Sequence, residues 1–260
     1  MSTITFPTTG GETIEADLYA PVPGGAPAPA VICMHGGGWK GGARRTYRNL
    51  GPWLADRGYL VLAIDYRLVR GTANRYPAAV DDVRAAIEYV REQASAIGTD
   101  PARVALMGDS AGGQLAALAG LTAGGAVKAI VGVFGVYDLA AQWESDLLSR
   151  PHDNISEAYL GVPLTHDRRR YFDASPISHA IVANNAVSVL LAWGTNDDIV
   201  LPSQAERFLL ALKAANFYVR TVVQAAPHYW MGDPLDEPGS YAGFFAPRLL
   251  RFLNERLAAG

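Results

Sequence analysis

Cysteine occurs once in the 260 residues, at Cys33. An intramolecular disulfide is thereby excluded, and so is every zinc site built on paired cysteines. A single thiol fits a reducing compartment, and a cytoplasmic protein is expected. Excess charge of either sign is also missing: 22 Lys and Arg against 25 Asp and Glu leave a net −3, which argues against a general binder of nucleic acid or membrane surfaces. No run of about 18 consecutive apolar residues exists, so no transmembrane helix is expected. The opening Met-Ser-Thr-Ile-Thr-Phe-Pro has no charged leader followed by an apolar stretch, so no secretory signal is expected. Internal repeats are absent. Half of the chain is apolar and 18% is charged, enough to bury a large core, and one domain over 1–260 is expected. Glycine is in surplus, with 27 residues, and their positions carry most of the information.

The first 30 residues predict a hairpin. Ile4 and Phe6 precede a Thr-Gly-Gly turn at 9–11, and alternation resumes through Ile14, Ala16, Leu18 and Ala20. The run 21–29, rich in Pro and Gly, reads as a loop. Beyond it, strands are predicted at 30–34, 59–64, 103–107, 129–134, 187–193 and 219–224. Helices are predicted at 47–57, 78–95, 111–121, 202–215 and 241–257. The 78–95 helix is the clearest, with Val80, Val83, Ala86, Ile87 and Val90 at helical spacing. Alternating strands and helices with nearly continuous apolar strands imply an α/β fold, a mostly parallel sheet covered on both faces. Ligands on such sheets bind at the carboxyl ends of the strands.

One strand end carries Gly108-Asp109-Ser110-Ala111-Gly112-Gly113, a Gly-x-Ser-x-Gly with a strand before it and a helix after it. A serine on such a sharp turn projects its hydroxyl off the sheet, and small flanking residues let helix and strand approach. Serine is a weak nucleophile that needs a base, and the base needs an orienting carboxylate. In hydrolases with this elbow the chain order is Ser, then Asp or Glu, then His. Of His152, His166, His179 and His228, only His228 follows the last predicted strand. Asp197 and Asp198 follow the strand at 187–193. Asp197 is favoured because a glycine-led turn would aim it across the sheet edge, with Asp198 as the alternative. The strand at 30–34 ends in His35-Gly36-Gly37-Gly38-Trp39-Lys40-Gly41-Gly42. A glycine loop of this kind can aim backbone N–H groups at an oxyanion, complementing the amide of Ala111. His35 is expected to bond loop backbone.

The same loop contains Gly-x-Gly-x-x-G at Gly36, Gly38 and Gly41, with Asp65 at the next strand end, so a dinucleotide-binding oxidoreductase is the rival reading. Trp39 and Lys40 bring bulk where a pyrophosphate needs close backbone approach. No Tyr-x-x-x-Lys pair occurs, the three lysines being Lys40, Lys128 and Lys213. This reading also leaves Ser110, Asp197 and His228 unexplained.

In these motifs the chain resembles the α/β-hydrolase superfamily. Within it, the His-Gly-Gly-Gly loop, Asp65-Tyr66-Arg67 and Gly-Asp-Ser-Ala-Gly-Gly resemble carboxylesterases of the hormone-sensitive-lipase group and bacterial feruloyl- and acetyl-esterase-like enzymes. The resemblance implies Ser110 as nucleophile, His228 as general base and acid, and Asp197 as its orienter. It implies an oxyanion hole from the amides of Gly37, Gly38 and Ala111, a scaffold role for Asp65-Tyr66-Arg67, and no cofactor or metal. It departs from the group in having no room for a long N-terminal cap ahead of His35. Cover over the site must then come from about 137–185, which leaves an open site with a small lid. Trp39, Trp143, Tyr229, Trp230 and Met231 are candidate pocket walls, each standing equally well as core. Arg168-Arg169-Arg170 reads as a solvated face, with a contact to an acidic substrate group as its alternative.

The expected activity is hydrolysis of short-chain or aryl carboxylic esters through an acyl-enzyme. An amidase, arylformamidase-like enzyme or small peptidase on the same triad is the alternative, and a non-catalytic ligand-binding protein of this fold a further one. The expected partner is a small-molecule ester, with neither nucleic acid nor membrane, in a monomer or homodimer.

Overall fold

The computed structural model describes residues 1–8, 10–22 and 24–258. Thr9 of the expected turn and Pro23 of the expected loop lie outside them. The strands are β1 (Ser2–Pro7), β2 (Thr13–Tyr19), β3 (Ala28–Met34), β4 (Leu60–Ile64), β5 (Thr99–Asp109), β6 (Ala129–Val133), β7 (Ser188–Gly194) and β8 (Val219–Gln224). They form one sheet in the order β1-β2-β4-β3-β5-β6-β7-β8. β1 and β2 make the expected hairpin and β2 joins β4 antiparallel; every other pair is parallel.

The unbroken apolar strands have a simple cause. Ile32, Met34, Leu62, Ile64, Val104 and Leu106 face one core, while Val31, Cys33, Val61, Ala63, Ala105 and Met107 face the other. Both sides of the period-2 repeat are buried, so neither can be polar. The first core is closed by α2 (Ala78–Glu92), α4 (Ala111–Leu121) and α8 (Pro202–Ala214), and the second by α1 (Leu50–Ala55) and α9 (Tyr241–Arg256). α4 is buried along its whole length, which explains its composition of small and aliphatic residues. On α9, Phe245, Leu249, Phe252 and Leu253 face the core, whereas Phe244 is exposed.

Three stretches differ from expectation. The helix expected at 47–57 is a 3-10 turn over Arg44–Tyr47 followed by the short α1, because Tyr47 turns inward to bond Met34 O and Asp109. The helix expected to reach residue 95 ends at Glu92; a separate turn, α3 (Ala94–Ile97), stops at Gly98, which adopts φ 71°. The segment 137–185, read only as a possible cover, holds α5 (Leu139–Ser149), α6 (Ile155–Leu160) and α7 (Arg168–Ala174). Asp138, Asn154 and Asp167 cap these helices, each accepting from the amide three residues on. Such residues are a legible start signal. α6 and α7 are too short for periodicity to reveal, and the buried face of α5 carries the polar Gln142 and Asp146. Among the described residues no helix is long and apolar enough to cross a membrane.

Candidate active site

The ends of β3, β5, β7 and β8 meet at one edge of the sheet, and the motif residues meet there with them. Ser110 joins β5 to α4 at φ 54°, ψ −119°, a conformation that L residues rarely occupy. Two features hold it there. Its N–H donates to Val133 O at 2.9 Å, tying the elbow to β6. Gly112 lets α4 pass against β3 so closely that a Cβ there would lie 2.0 Å from Met34 O. The Gly-x-Ser-x-Gly spacing is thus a packing requirement of the elbow.

Ser110 Oγ lies 3.0 Å from His228 Nε2, and His228 Nδ1 lies 2.6 Å from Asp197 Oδ2. The carboxylate selects the imidazole tautomer with its proton on Nδ1, which leaves the Nε2 lone pair facing the serine hydroxyl. Asp197 is itself held, because its Oδ1 accepts from the amides of Ile199 at 3.0 Å and Val200 at 2.9 Å. The ring of Phe134 packs on the imidazole at 4.5 Å. All three polar residues are buried, at 7%, 5% and 4% exposure for Ser110, His228 and Asp197. Asp198 is exposed, and so are His152 and His166; His179 bonds the carbonyl of Asp173.

The glycine loop folds back beside this constellation. Gly37 adopts φ 118°, and its carbonyl accepts from the amide of Gly41 at 2.9 Å. A Cβ on Gly37 would meet that same Gly41 carbonyl at 2.3 Å. Among the described residues, the N–H groups of Gly37, Gly38 and Ala111 find no backbone acceptor. His35 Nδ1 donates to Gly36 O at 2.7 Å, and its ring stacks on Tyr66. Burial pushes the His35 pKa down, favouring the neutral ring.

Asp109, next to the serine, received no role from sequence reasoning. It ties the loop to the elbow: Oδ2 accepts from the Gly36 amide at 3.0 Å and Oδ1 from the Tyr47 hydroxyl at 2.8 Å. Burial raises its pKa to about 6, against the lowering effect of the two donors. The same contact disfavours the dinucleotide reading, because a buried carboxylate stands where a pyrophosphate would approach Gly36. Asp65 is likewise engaged by Arg44. Asp65-Tyr66-Arg67 serves as scaffold, with Arg67 paired to the buried Asp82 and Tyr66 bonded to His35 O.

Ser110 opens on a cleft of about 330 Å³ lined also by Gly37, Arg45, Arg48, Tyr229 and Met231. Of the five expected pocket walls only Tyr229 and Met231 reach it. Trp39 has no exposed surface: its ring stacks on Tyr159 at 4.2 Å and its indole N–H donates to Gln114 at 2.9 Å. Trp230 packs in the core against Phe134 and Phe245. Trp143 lies on α5 with its indole N–H on Glu157 of α6. For Trp39 and Trp230, burying a large apolar ring outweighs offering it to the cleft, whereas Trp143 is only partly buried. Of the arginine run, Arg169 pairs with Asp173 and Arg170 bonds Tyr76 O; none of the three lines the cleft.

Comparison with known proteins places the chain in a family. A family model, BD-FAE, matches residues 16–212. The chain belongs to the BD-FAE family. The match runs from β2 through most of α8, so it includes the glycine loop, Ser110 and Asp197 but stops short of His228. Among curated relatives, this BD-FAE chain is 33% identical over 208 residues to "Esterase LipC" of Mycobacterium tuberculosis, covering 73% of this chain and 49% of that protein. It is 31% identical over 199 residues to "Probable carboxylic ester hydrolase LipM" of the same organism, covering 72% and 45%. It therefore spans about half the length of these relatives. Among solved structures, a hyperthermophilic esterase from Pyrobaculum calidifontis superposes with TM-score 0.79 at 24% identity, covering 99% of this chain and 84% of that one. Esterases from Rhizomucor miehei give 0.81 at 24%, covering 99% and 83%. These likenesses establish the α/β-hydrolase fold for this BD-FAE member.

Proposed function

We propose that this chain is a serine hydrolase of short-chain or aryl carboxylic esters. The observation that carries the reading is the buried relay from Asp197 through His228 to Ser110, opening on a cleft beside loop amides that have no backbone acceptor among the described residues. Ser110 Oγ attacks the ester carbonyl as its proton passes to His228 Nε2. The carbonyl oxygen becomes an oxyanion facing the amides of Gly37, Gly38 and Ala111. The imidazolium, stabilised by Asp197, returns the proton to the leaving alcohol as the C–O bond breaks, leaving an acyl-serine. Water then adds to the acyl carbonyl with His228 taking its proton, and the carboxylic acid departs as Ser110 is regenerated. The relatives named as esterases and carboxylic ester hydrolases agree with this chemistry.

In this reading 1–260 acts as one domain, with 137–185 as a small cover that leaves the site open. The single, buried Cys33 fits the reducing cytoplasm. The test is hydrolysis of p-nitrophenyl acetate together with labelling by a fluorophosphonate. Both are expected from the unaltered protein and neither from Ser110→Ala. Full activity in that variant would overturn the assignment.

A further inference from the structure

Several of the chain's cations are paired with acids close by. Arg44 meets Glu15 at 3.0 Å, Asp17 at 3.0 Å and Asp65. Lys40 meets Asp153 at 2.5 Å, and Arg67 meets Asp82 at 2.7 Å. Arg45 and Arg48 are the two cations lining the cleft that contains Ser110, and among the described residues neither forms an ion pair. Their position follows from local geometry. Arg44–Tyr47 is a 3-10 turn, and Arg48 continues it at φ −60°, ψ −24°. With three residues per turn, positions 45 and 48 lie one above the other on the same edge. Tyr47, on another edge, is anchored inward to Met34 O and Asp109, which fixes the side from which the two guanidinium groups project.

Arg48 also borders a neighbouring pocket lined by Asp236. Within the cleft itself, the one carboxylate among the described lining residues is Asp109, and both of its oxygens are already engaged by Tyr47 and Gly36. A guanidinium is a planar fork that matches a carboxylate's two oxygens, and unlike an amine it stays charged at any working pH.

We propose that the cleft selects esters carrying a carboxylate away from the scissile bond, held by Arg45 and Arg48 while Ser110 attacks. This rests on the esterase reading above and names its substrate class. Sequence inspection placed a possible acidic-group contact in Arg168-Arg169-Arg170, which lies outside the cleft; the two arginines within it sit in an unremarkable Arg-Arg-Thr-Tyr-Arg stretch.

The test compares kcat/KM for charged and neutral isosteres. Mono-p-nitrophenyl glutarate is set against p-nitrophenyl valerate for a carboxylate on the acyl side. 4-Acetoxybenzoate is set against phenyl acetate for one on the leaving group. For at least one pair the ratio of charged to neutral is expected to fall about tenfold in Arg45→Gln/Arg48→Gln, mostly through KM, and to recover in Arg45→Lys/Arg48→Lys. In the unaltered protein it should also shrink in about 1 M NaCl, where screening reaches about 3 Å. Ratios that are the same in the unaltered protein and the Gln variant would overturn the proposal. Hydrolysis of the neutral esters, and its loss in Ser110→Ala, reports on the esterase reading separately. Should no ester turn over, calorimetry of glutarate against valerate on the Ser110→Ala protein still decides. Tighter glutarate binding that is lost on adding the two Gln substitutions supports the arginine site, and equal binding sinks it. Thermal melts of the Gln and Lys variants confirm folding, and both positions are exposed enough to tolerate the change.

Discussion

His228 Nδ1 meets Asp197 Oδ2 at 2.6 Å, whereas Asp198, the next residue in the chain, points to solvent. Two adjacent aspartates that look alike in sequence thus occupy opposite environments. The loop after β7 turns Asp197 under the imidazole and locks it with two amides, leaving Asp198 on the outside.

This asymmetry sets the first prediction. Asp197→Asn keeps the shape but presents the wrong partner to Nδ1–H, so kcat on p-nitrophenyl acetate should fall by about a thousandfold or more. Asp198→Asn should stay within about threefold of the unaltered protein. Equal losses in the two variants, measured under saturating substrate, would show that the carboxylate has been misassigned.

Asp109 predicts a pH signature in stability. Its folded-state pKa of about 6 stands above the ordinary 3.8 of an unfolded chain. Below the lower value both states carry the proton, so the stabilisation is fully present there. As pH rises toward 6 the unfolded state has released its proton while the folded state still holds it, and stability is lost. At about 1.4 kcal/mol per pH unit, the rise from 3.8 to about 6 corresponds to a loss on the order of 3 kcal/mol. Asp109→Asn removes the titration. Urea midpoints measured from about pH 4 to 7 should therefore show the unaltered protein declining relative to the variant, then running parallel above about pH 6. Parallel curves throughout would rule out a raised pKa.

Trp39 predicts a loss of stability with no change in substrate binding. Trp39→Phe keeps much of the stack on Tyr159 but strips Gln114 Oε1 of its donor, leaving a buried acceptor unpaired. The cost should be about 1–3 kcal/mol in urea unfolding. KM for aryl acetates should stay within about twofold, since the ring has no surface in the cleft. A large rise in KM with unchanged stability would return Trp39 to the pocket.

Much of the architecture was legible because local and global demands coincide. The strands ending at Met34, Ile64 and Asp109 are apolar on both sides because both sides are covered, so a run of aliphatic residues is diagnostic by itself. Gly108, Gly112 and Ser110 were readable for a similar reason: the elbow admits almost no other residues at these spacings. Helices α6 and α7 escaped notice because they are too short to display a period, and α5 because its buried face carries Gln142 and Asp146 beside Leu139; their capping residues Asp138, Asn154 and Asp167 resemble any loop polar residue.

Sequence alone determined the doubly covered sheet, the serine elbow, the glycine loop and the chain order of serine, aspartate and histidine. Each of these is a short-range requirement, written in residues that the backbone or the chemistry demands. Only the tertiary structure decided which aromatic side chains are core, since Trp39 and Trp230 are buried whereas Tyr229 is exposed. It also decided that Asp109 bridges loop and elbow across 73 residues of chain, and that Arg45 and Arg48 line the serine's cleft while the arginine run at 168–170 does not. Direction and exposure of a side chain depend on which distant segments pack around it, and spacing along one segment does not encode that.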